Sequence, residues 1–341
     1  TGRVDIVSPA PSRPGSVESA DSFSAREPMR LREIDPLINV QGTNCCCNYG
    51  ITQIEKLQGG ELVPVESSNS VEFHHVDVYT PDGLRILLQD VSLTLDPGES
   101  CLIMGPSGIG KSSLLRVLGQ LWPLFRSPDY RGLSSSFSRP GPFNVFFLAQ
   151  RPYLFEGTLR DQVAYPVWGE SVQTELTDEL MHRLFEEANL LDIWQAHSHE
   201  LDKTGISWAD VLSLGEQQRL QFCRLFWHYE WHQRHGDTSQ GFFAVLDESS
   251  ASMDVTSEML VYESCRRRQM GYLSVAHRPT VIQYHSKVLL FEFNAQRELR
   301  QHIRDAKEMS KEVAALLTRH LPAIQEQRER QASAMSQDSW L

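Results

Sequence analysis

Hydrophobic residues alternate with polar ones in two stretches between residues 71 and 95, a pattern typical of half-buried β-strands. The stretches VEFHHVDVY and RILLQDVSLTL have PDG at 81–83 between them, and these three residue types favour a turn. The sequence therefore predicts a hairpin-like pair of strands at this point.

Five shorter runs are almost continuously apolar, which is typical of strands that are buried on both faces. They are SCLIM, NVFFL, GFFAVL, YLSV and KVLLFEF. Between them, Leu114, Leu115, Leu118 and Leu121 have helical spacing, and a long helical region is expected from about 174 to 230. Strands that alternate with helices predict an α/β fold with a mainly parallel central sheet, to which the hairpin adds an antiparallel part.

The two ends of the chain differ in composition from its middle. Residues 1–68 contain repeated Pro, Ser and Gly, so we expect a linker or arm there. Because residue 1 is Thr rather than Met, we expect a fragment or a processed form. Residues 301–341 are rich in charge and predict a helical tail with one apolar stripe, which packs on a partner or on the domain itself. The stripe consists of Val313, Leu316, Leu317, Leu321 and Ile324.

Composition narrows the choice of partners and compartment. The net charge of −12 argues against nucleic acid as a partner, because phosphate contacts need a concentrated basic surface. No apolar stretch approaches the roughly 18 residues of a membrane-spanning helix, and no secretory signal pattern stands at the start. Cys45, Cys46 and Cys47 are adjacent, which indicates either an S-acylation site near a membrane or an ordinary apolar cluster in a linker.

The stretch GPSGIGKSS directly follows the predicted strand SCLIM and precedes a predicted helix. It is either a loop that holds a polyphosphate or a glycine-rich turn. The pattern G-x-x-x-x-G-K-[ST] in this strand–loop–helix context favours the phosphate loop, in which backbone N–H groups and the helix N-terminus converge on phosphate oxygens. Lys111 would reach the β and γ phosphates, and the Ser112 hydroxyl would bind Mg²⁺. The predicted nucleotide-binding residues here are Gly105, Pro106, Ser107, Gly108, Ile109, Gly110, Lys111, Ser112 and Ser113.

Two acidic residues end another predicted strand, GFFAVLDE. Because α/β folds place their ligands at the carboxyl ends of strands, Asp247 is expected to hold Mg²⁺ through water. Glu248 is expected to polarise the water that attacks the γ-phosphate, since phosphoryl transfer needs an oriented nucleophile. The alternative is an acidic pair that merely faces solvent.

Four further stretches resemble motifs of one protein family, the ATP-binding cassette (ABC) proteins. They follow one another in the order of that family. FLAQRPYLFEGTLRDQV is similar to the Q-loop, and LSLGEQQRLQFCRLF is similar to the signature. DESSASMD is similar to the D-loop, and SVAHR is similar to the switch-histidine region.

The resemblance covers about residues 70–295. It implies an ABC nucleotide-binding domain of P-loop NTPase fold at 69–300, with a helical subdomain at about 165–230. VYTPDG, LLRVLGQLWP and SWADVLSLGEQQRL resemble subfamily D, the half-transporters of peroxisomes and lysosomes and their plant and bacterial relatives. A transmembrane domain of the same polypeptide would then precede the arm at 1–68.

The family resemblance also implies a role for individual residues. Two such domains pair head to tail around two ATP molecules, and Ser213 and Gly215, with Glu216 beside them, would contact the γ-phosphate of the opposite site. Gln150 would touch Mg²⁺ and the attacking water, and His277 would bridge to the γ-phosphate and position either Glu248 or the water. Asp254 would carry communication across the dimer. Tyr79 would stack on the adenine; the alternative is that Tyr79 is a strand residue without a role in binding.

The chain departs from the family pattern at three points. Leu214 replaces the usual Gly of the signature, and a Leu with positive φ would cost free energy. Ala251 replaces the usual Ser of the D-loop, and Thr80 stands where the adenine-stacking aromatic residue is expected.

Residues 227–240, WHYEWHQRHGDTSQ, stand where the family passes more directly to the next strand. An inserted surface loop is expected there. The alternative is a metal site, because His228, His232 and His235 can share one helical face.

Together these features predict an ATPase that powers a membrane half-transporter of the fatty acyl-CoA or cobalamin class. The alternative is a regulatory module that binds ATP with impaired hydrolysis, which Leu214 and Ala251 favour. A soluble ABC ATPase acting on DNA is disfavoured by the acidic charge. The expected location is the cytosolic face of a membrane, peroxisomal first, with lysosomal, plastid and bacterial inner membranes as alternatives.

Overall fold

Two β-sheets and the helices around them form the part of the protein that the computed structural model describes, residues 62–126, 135–167, 170–236 and 238–313. The strands are β1 (Val65–Ser67), β2 (Val71–Tyr79), β3 (Ile86–Leu95), β4 (Ser100–Met104), β5 (Phe125–Arg126), β6 (Ser136–Arg139), β7 (Val145–Leu148), β8 (Phe243–Asp247), β9 (Gly271–Val275), β10 (Lys287–Phe293) and β11 (Leu299–Asp305).

Nine α-helices lie within the same residues. They are α1 (Lys111–Leu118), α2 (Leu159–Ala164), α3 (Glu170–Glu175), α4 (Asp178–Glu187), α5 (Leu191–His197), α6 (Trp208–Val211), α7 (Leu214–His235), α8 (Val255–Arg267) and α9, which begins at residue 306 and is described up to residue 313.

The larger sheet has the strand order β11-β10-β4-β9-β8-β7. All its neighbouring pairs are parallel except β10 with β11. Side chains alternate between its faces: in β4, Cys101 and Ile103 join one buried cluster and Leu102 joins the other. A sheet buried on both faces explains why its strands read as continuous apolar runs.

The smaller sheet is built around β2, which pairs antiparallel with β3, β5 and β6. The predicted mainly parallel sheet with an antiparallel addition is therefore confirmed. β1 pairs in parallel with β6, from Val65 opposite Phe137 to Ser67 opposite Arg139. The last residues of the arm predicted at 1–68 thus belong to this sheet, since their backbone groups bond to β6.

Helix α1 lies between the two sheets. Its Leu114, Leu115 and Leu118 are fully buried in the cluster that also holds Phe73 of β2 and Val245 of β8. The buried cluster on the other face of the larger sheet includes side chains from α2 to α8, which we call the helical part. The helical subdomain expected at about 165–230 stays a prediction. The loop before α1 is consequently fixed between two rigid layers.

Two further expectations change with the structure. Residues 301–305 are part of β11, so the helix expected from residue 301 begins at 306. β11 is an edge strand rich in charged residues, and such a composition is also typical of an exposed helix. The expected surface loop at 227–240 is wrong up to His235, because α7 continues to that residue with Trp227, His228 and His232 buried.

Other expectations fall outside the described residues. These are the arm at 1–61 with Cys45 to Cys47, and the part of the tail stripe from Leu316 to Ile324. Within the described part, none of the helices combines the length and the apolar character needed to span a bilayer.

Candidate nucleotide-binding and hydrolysis site

The carboxyl ends of four adjacent parallel strands bring the predicted site residues to one edge of the larger sheet. In the order β4-β9-β8-β7, these strands lead into the phosphate-loop candidate, His277, Asp247 with Glu248, and Gln150. This is the edge at which open α/β sheets bind ligands. Residues more than a hundred positions apart in the sequence therefore meet because their strands are neighbours.

The loop from Gly105 to Gly110 has the backbone of a phosphate loop. Gly105, Gly108 and Gly110 all have positive φ, and Gly110 is the residue before α1 with φ 112°. A Cβ at Gly110 would lie 2.9 Å from Cβ of Leu87, so both the dihedral angle and the space require glycine. The free N–H groups and the positive end of the dipole of α1 point into this loop and favour an anion.

Lys111 is the first residue of α1 and is only 6% exposed. Its Nζ donates to the carbonyl oxygens of Gly105 at 3.0 Å and Pro106 at 2.8 Å, so the ammonium group lies inside the loop. Burial lowers the pKa of Lys111, while the nearby Glu248 opposes that shift. A buried cation at the N-terminus of a helix suits a polyphosphate.

Ser112 and Asp247 form the candidate magnesium site. The Ser112 hydroxyl donates to Oδ1 of Asp247 over 2.7 Å, and Asp247 is 7% exposed. Burial raises the pKa of Asp247, and the Ser112 hydrogen bond partly offsets this. A hydroxyl and a carboxylate are hard oxygen donors of the kind Mg²⁺ prefers, and Mg²⁺ keeps most of its waters at such sites. These residues therefore fit the ion.

Glu248 is held from two sides. Its Oε2 accepts from Nε2 of Gln150 at 2.7 Å, and its Oε1 lies 2.9 Å from Nε2 of His277. The backbone of Glu248 has a positive φ of 50°, and its N–H bonds to the carbonyl of Val275 at 3.0 Å. A strained backbone at a functional residue persists where surrounding contacts determine it, as they do here.

The predicted signature residues lie at the start of α7 and outside this cluster. Ser213 caps the helix. The N–H and the hydroxyl of Ser213 both donate to Oε2 of Glu216 at 2.7 Å. The N–H of Glu216 in turn donates to the Ser213 hydroxyl at 3.4 Å. Leu214 is the first helical residue and is not among those with positive φ. The strain expected at Leu214 is therefore absent, because the helical backbone accepts any side chain.

Gly215 and Asp254 connect the signature to the D-loop. A Cβ at Gly215 would lie 2.9 Å from the carbonyl oxygen of Ser252, so this close approach requires glycine. Asp254 caps α8 through Ser257, and these hydrogen bonds lower the pKa of Asp254. Nη1 of Arg219 in α7 lies 3.8 Å from Asp254 Oδ2 and 3.0 Å from the Ser257 hydroxyl.

The structure does not support adenine stacking by Tyr79. The Tyr79 side chain is 8% exposed and meets the ring of Phe125 edge-on, with 5.2 Å between centroids. A stacking platform needs a free ring face, and this ring belongs to the core of the smaller sheet. Among the residues around it, the exposed apolar side chains are Leu84 of the following turn and Ile86 at the start of β3.

The three histidines of α7 contact groups other than a metal, and the ring of His232 packs against that of Phe242 with 5.3 Å between centroids. His228 Nε2 lies 2.6 Å from the carbonyl oxygen of Tyr165, and His235 Nε2 lies 2.8 Å from the Glu175 carboxylate. Among the described residues, no group of three His, Cys, Asp or Glu side chains is arranged to hold a metal ion.

Sequence reasoning missed two residues that organise the D-loop. Arg278, next to His277, donates to the carbonyl oxygens of Met253 at 2.8 Å and Ala251 at 3.3 Å. Gln218 is 1% exposed and bonds to both the D-loop and the Q-loop. A signal for Gln218 was present: it lies on the apolar face of α7, in line with Phe222 and Leu225, where a polar side chain needs partners.

Residues 88–230 match a family model described as ABC transporter. The chain contains an ABC transporter ATP-binding domain. The predicted family, its ATPase class and its P-loop NTPase fold are thereby confirmed.

Curated relatives belong to the subfamily that the motifs resemble. The chain is 34% identical over 266 residues to ATP-binding cassette sub-family D member 3 of Mus musculus, a match that covers 75% of this chain and 36% of the relative. It is 37% identical over 228 residues to ABC transporter D family member 1 of Arabidopsis thaliana, covering 66% and 16%. The lysosomal cobalamin transporter ABCD4 of Mus musculus is 37% identical over 218 residues, covering 63% and 33%. The chain thus spans about a third or less of the length of these ABC relatives.

Proposed function

We propose that this chain binds and hydrolyses Mg-ATP and thereby drives a membrane half-transporter. The observation that carries the proposal is the Glu248 carboxylate, held between Gln150 and His277 next to the phosphate loop. A carboxylate fixed at both oxygens orients a water for in-line attack without itself moving. Lys111 and the loop amides would neutralise the charge that develops on the phosphate, and Ser112 with Asp247 would hold Mg²⁺, which would supply further positive charge there.

The proposed site is completed by a second nucleotide-binding domain. Two facts support this: Ser213 and Glu216 bond to each other within α7, and no described hydrogen bond joins them to the residues at 105–113. In a head-to-tail dimer, the N-terminus of α7 would offer its N–H groups to the γ-phosphate of the opposite site. ATP closure and hydrolytic opening then form a two-state switch.

The same chain would pass this switch to a transmembrane domain of its own polypeptide. Gln150 is the proposed reporter of nucleotide state. A cavity of about 290 Å³ lies beside β7 and is lined by aromatic residues together with Arg224, which supports docking of a helix from that domain.

The proposed location is the cytosolic face of a peroxisomal or lysosomal membrane, and the proposed cargo is a fatty acyl-CoA, a related lipid or cobalamin. The name of one relative, the lysosomal cobalamin transporter, supports cobalamin and the lysosome, and the other proposals rest on the resemblance of the motifs to subfamily D.

The deciding experiment compares ATP turnover and particle size of the purified chain with those of Glu248→Gln. We expect slow turnover for the unchanged chain, and for Glu248→Gln an ATP-dependent dimer with turnover reduced at least about 100-fold. If both proteins bind ATP but neither hydrolyses it and neither dimerises, then the proposal that this chain drives transport by ATP hydrolysis fails. Ala251, which lacks the usual D-loop hydroxyl, then favours the regulatory module.

A further inference from the structure

Gln218 uses both ends of its side-chain amide inside the protein. Its Nε2 donates to the carbonyl oxygen of Gln150 at 3.2 Å, and its Oε1 accepts from the N–H of Ser252 at 2.8 Å. The residue is 1% exposed, so water does not compete for these bonds. A buried amide with two backbone partners in different loops is costly to replace, because both partners would be left unsatisfied.

The two loops that Gln218 joins lie on either side of Glu248. Gln150 belongs to the loop after β7 and holds the Glu248 carboxylate through its own side chain at 2.7 Å. Ser252 belongs to the loop after β8, four residues beyond Glu248, and its carbonyl oxygen rests against Gly215 of α7. One side chain thus connects the signature helix with both loops that define the position of Glu248.

Arg278 anchors the second loop from the opposite side but leaves the first one untouched. Its guanidinium donates to the carbonyl oxygens of Ala251 and Met253, and it also contacts the buried carboxylate of Glu258 at 3.2 Å. Ser250 donates to that carboxylate at 2.7 Å. The D-loop is therefore firmly held on the His277 side, and Gln218 is what ties it to Gln150.

We propose that Gln218 is a positioning residue for hydrolysis, which keeps the Q-loop and the D-loop in register with the first turn of α7. A movement of the signature end of α7 would then reach Glu248 through two backbone hydrogen bonds. The inference rests on the proposed function, since it assigns Glu248 to the hydrolytic step. It adds a residue that acts through Gln150 and does not itself touch nucleotide.

The chain supplies a matched control on the same helix face. Gln221 lies one turn later, is 5% exposed and donates from Nε2 to the carbonyl oxygen of Ala149 at 3.3 Å. It therefore contacts the same first loop with the same chemical group but does not reach the D-loop. Comparing Gln218→Leu with Gln221→Leu separates the bridge from the general packing of α7.

The test measures kcat and KM for ATP, melting temperature and hydrogen exchange at the Ser252 amide, all on the 341-residue chain with Mg-ATP. For Gln218→Leu we expect kcat to fall about 10- to 100-fold with KM within about twofold, as misplacement of a reacting group predicts. Protection of the Ser252 amide should be lost. Gln221→Leu should lower the melting temperature to a similar extent, while kcat changes less than about threefold and Ser252 protection remains.

Gln218→Glu keeps the test decisive if the leucine variant does not fold. Its carboxylate still accepts from Ser252 but turns an oxygen towards the Gln150 carbonyl, so we expect the loss of kcat with Ser252 protection retained. Equal kcat losses in Gln218→Leu and Gln221→Leu, a change in KM alone, or full kcat in Gln218→Glu would each overturn the proposal. The unchanged chain and Glu248→Gln, run in parallel, report on the proposed function itself. Absence of turnover in the unchanged chain would overturn that function, whereas normal turnover in Glu248→Gln would remove Glu248 from the hydrolytic step and overturn this inference alone.

Discussion

Nε2 of His277 lies 2.9 Å from Oε1 of Glu248, although the two residues follow different strands. A carboxylate only accepts hydrogen bonds, so Nε2 of His277 carries the proton that points at Glu248. The carboxylate can rotate only if this bond or the one from Gln150 breaks. His277 therefore fixes the plane of the Glu248 carboxylate.

Replacing His277 by Ala should impair the hydrolytic step more than nucleotide binding. We expect kcat to fall about 100-fold with KM for ATP within about twofold, because the carboxylate loses one of its two restraints. Steady-state kinetics measures both values, and His199→Ala, at an exposed position of the helical part, is the control. A fully additive loss in the double variant with Glu248→Gln would contradict the shared role, since residues acting as one unit are non-additive.

Gly110→Ala should destabilise the domain more than Gly108→Ala. Both positions have positive φ, which costs about 1 kcal/mol or more for alanine. Only Gly110→Ala adds a clash, with Leu87 Cβ at 2.9 Å, whereas a Cβ at Gly108 meets nothing within 4 Å. We therefore expect an additional loss of about 1–3 kcal/mol in the free energy of unfolding, measured with urea. Equal losses would mean that β3 moves aside at little cost.

Leu214→Gly should not improve the enzyme. Leu214 has an ordinary helical backbone, so glycine relieves no strain and lowers the stability of the first turn of α7 by about 0.5–1 kcal/mol. Turnover and urea unfolding check this, and Leu214→Ala serves as the control that shortens the side chain without adding backbone freedom. Faster turnover in the glycine variant than in the alanine variant would show that the closed state needs a positive φ there.

Two buried histidines should make the domain sensitive to acid. Burial lowers the pKa of His228 and of His285 to about 4, from an ordinary value of 6.5. The unfolded chain binds protons at higher pH than the folded one, so stability falls as the pH drops from about 7 towards 4. Each histidine costs on the order of 3 kcal/mol at the lower limit.

Urea unfolding at pH 7, 6 and 5 measures this slope. His285 contacts Ser274 and lies among the rings of Tyr262 and Tyr272, and within the part of the chain that the structure describes no carboxylate pairs with it. The slope should be smaller in His285→Gln than in the unchanged chain and in His199→Gln. Asp202, whose pKa Arg160 lowers, acts in the same direction at lower pH and is common to all three proteins. Parallel profiles would refute a buried neutral His285.

The sequence predicted the site because its parts are local. A phosphate loop is a contiguous stretch with strict demands at Gly110 and Lys111, and Asp247 and Glu248 end a strand whose apolar run is evident. The parallel sheet then brings these strand ends together without further information. Chemistry at strand ends is thus readable before the fold is known.

The features that the sequence did not reveal depend on long-range packing. WHYEWHQRH reads as polar, yet Trp227, His228 and His232 are buried because α7 runs along the core of the helical part. The partners of Gln218 lie 68 and 34 positions away, and no local pattern encodes such contacts. For Tyr79 the sequence left two alternatives open, and the structure favours the strand residue, since the neighbour that covers its ring, Phe125, comes from a distant strand.

Helix α7 is a single uninterrupted rod of 22 residues, from the signature to His235. At 1.5 Å per residue it is about 33 Å long, so tilting it by about 10° around its far end would sweep its first turn through about 6 Å. In the C-terminal half of α7, His228 bonds to the carbonyl oxygen of Tyr165 and His235 bonds to the carboxylate of Glu175. A small pivot of the helical part would thus displace the signature by more than the reach of a hydrogen bond, which is enough to separate Gln218 from Gln150 and Ser252.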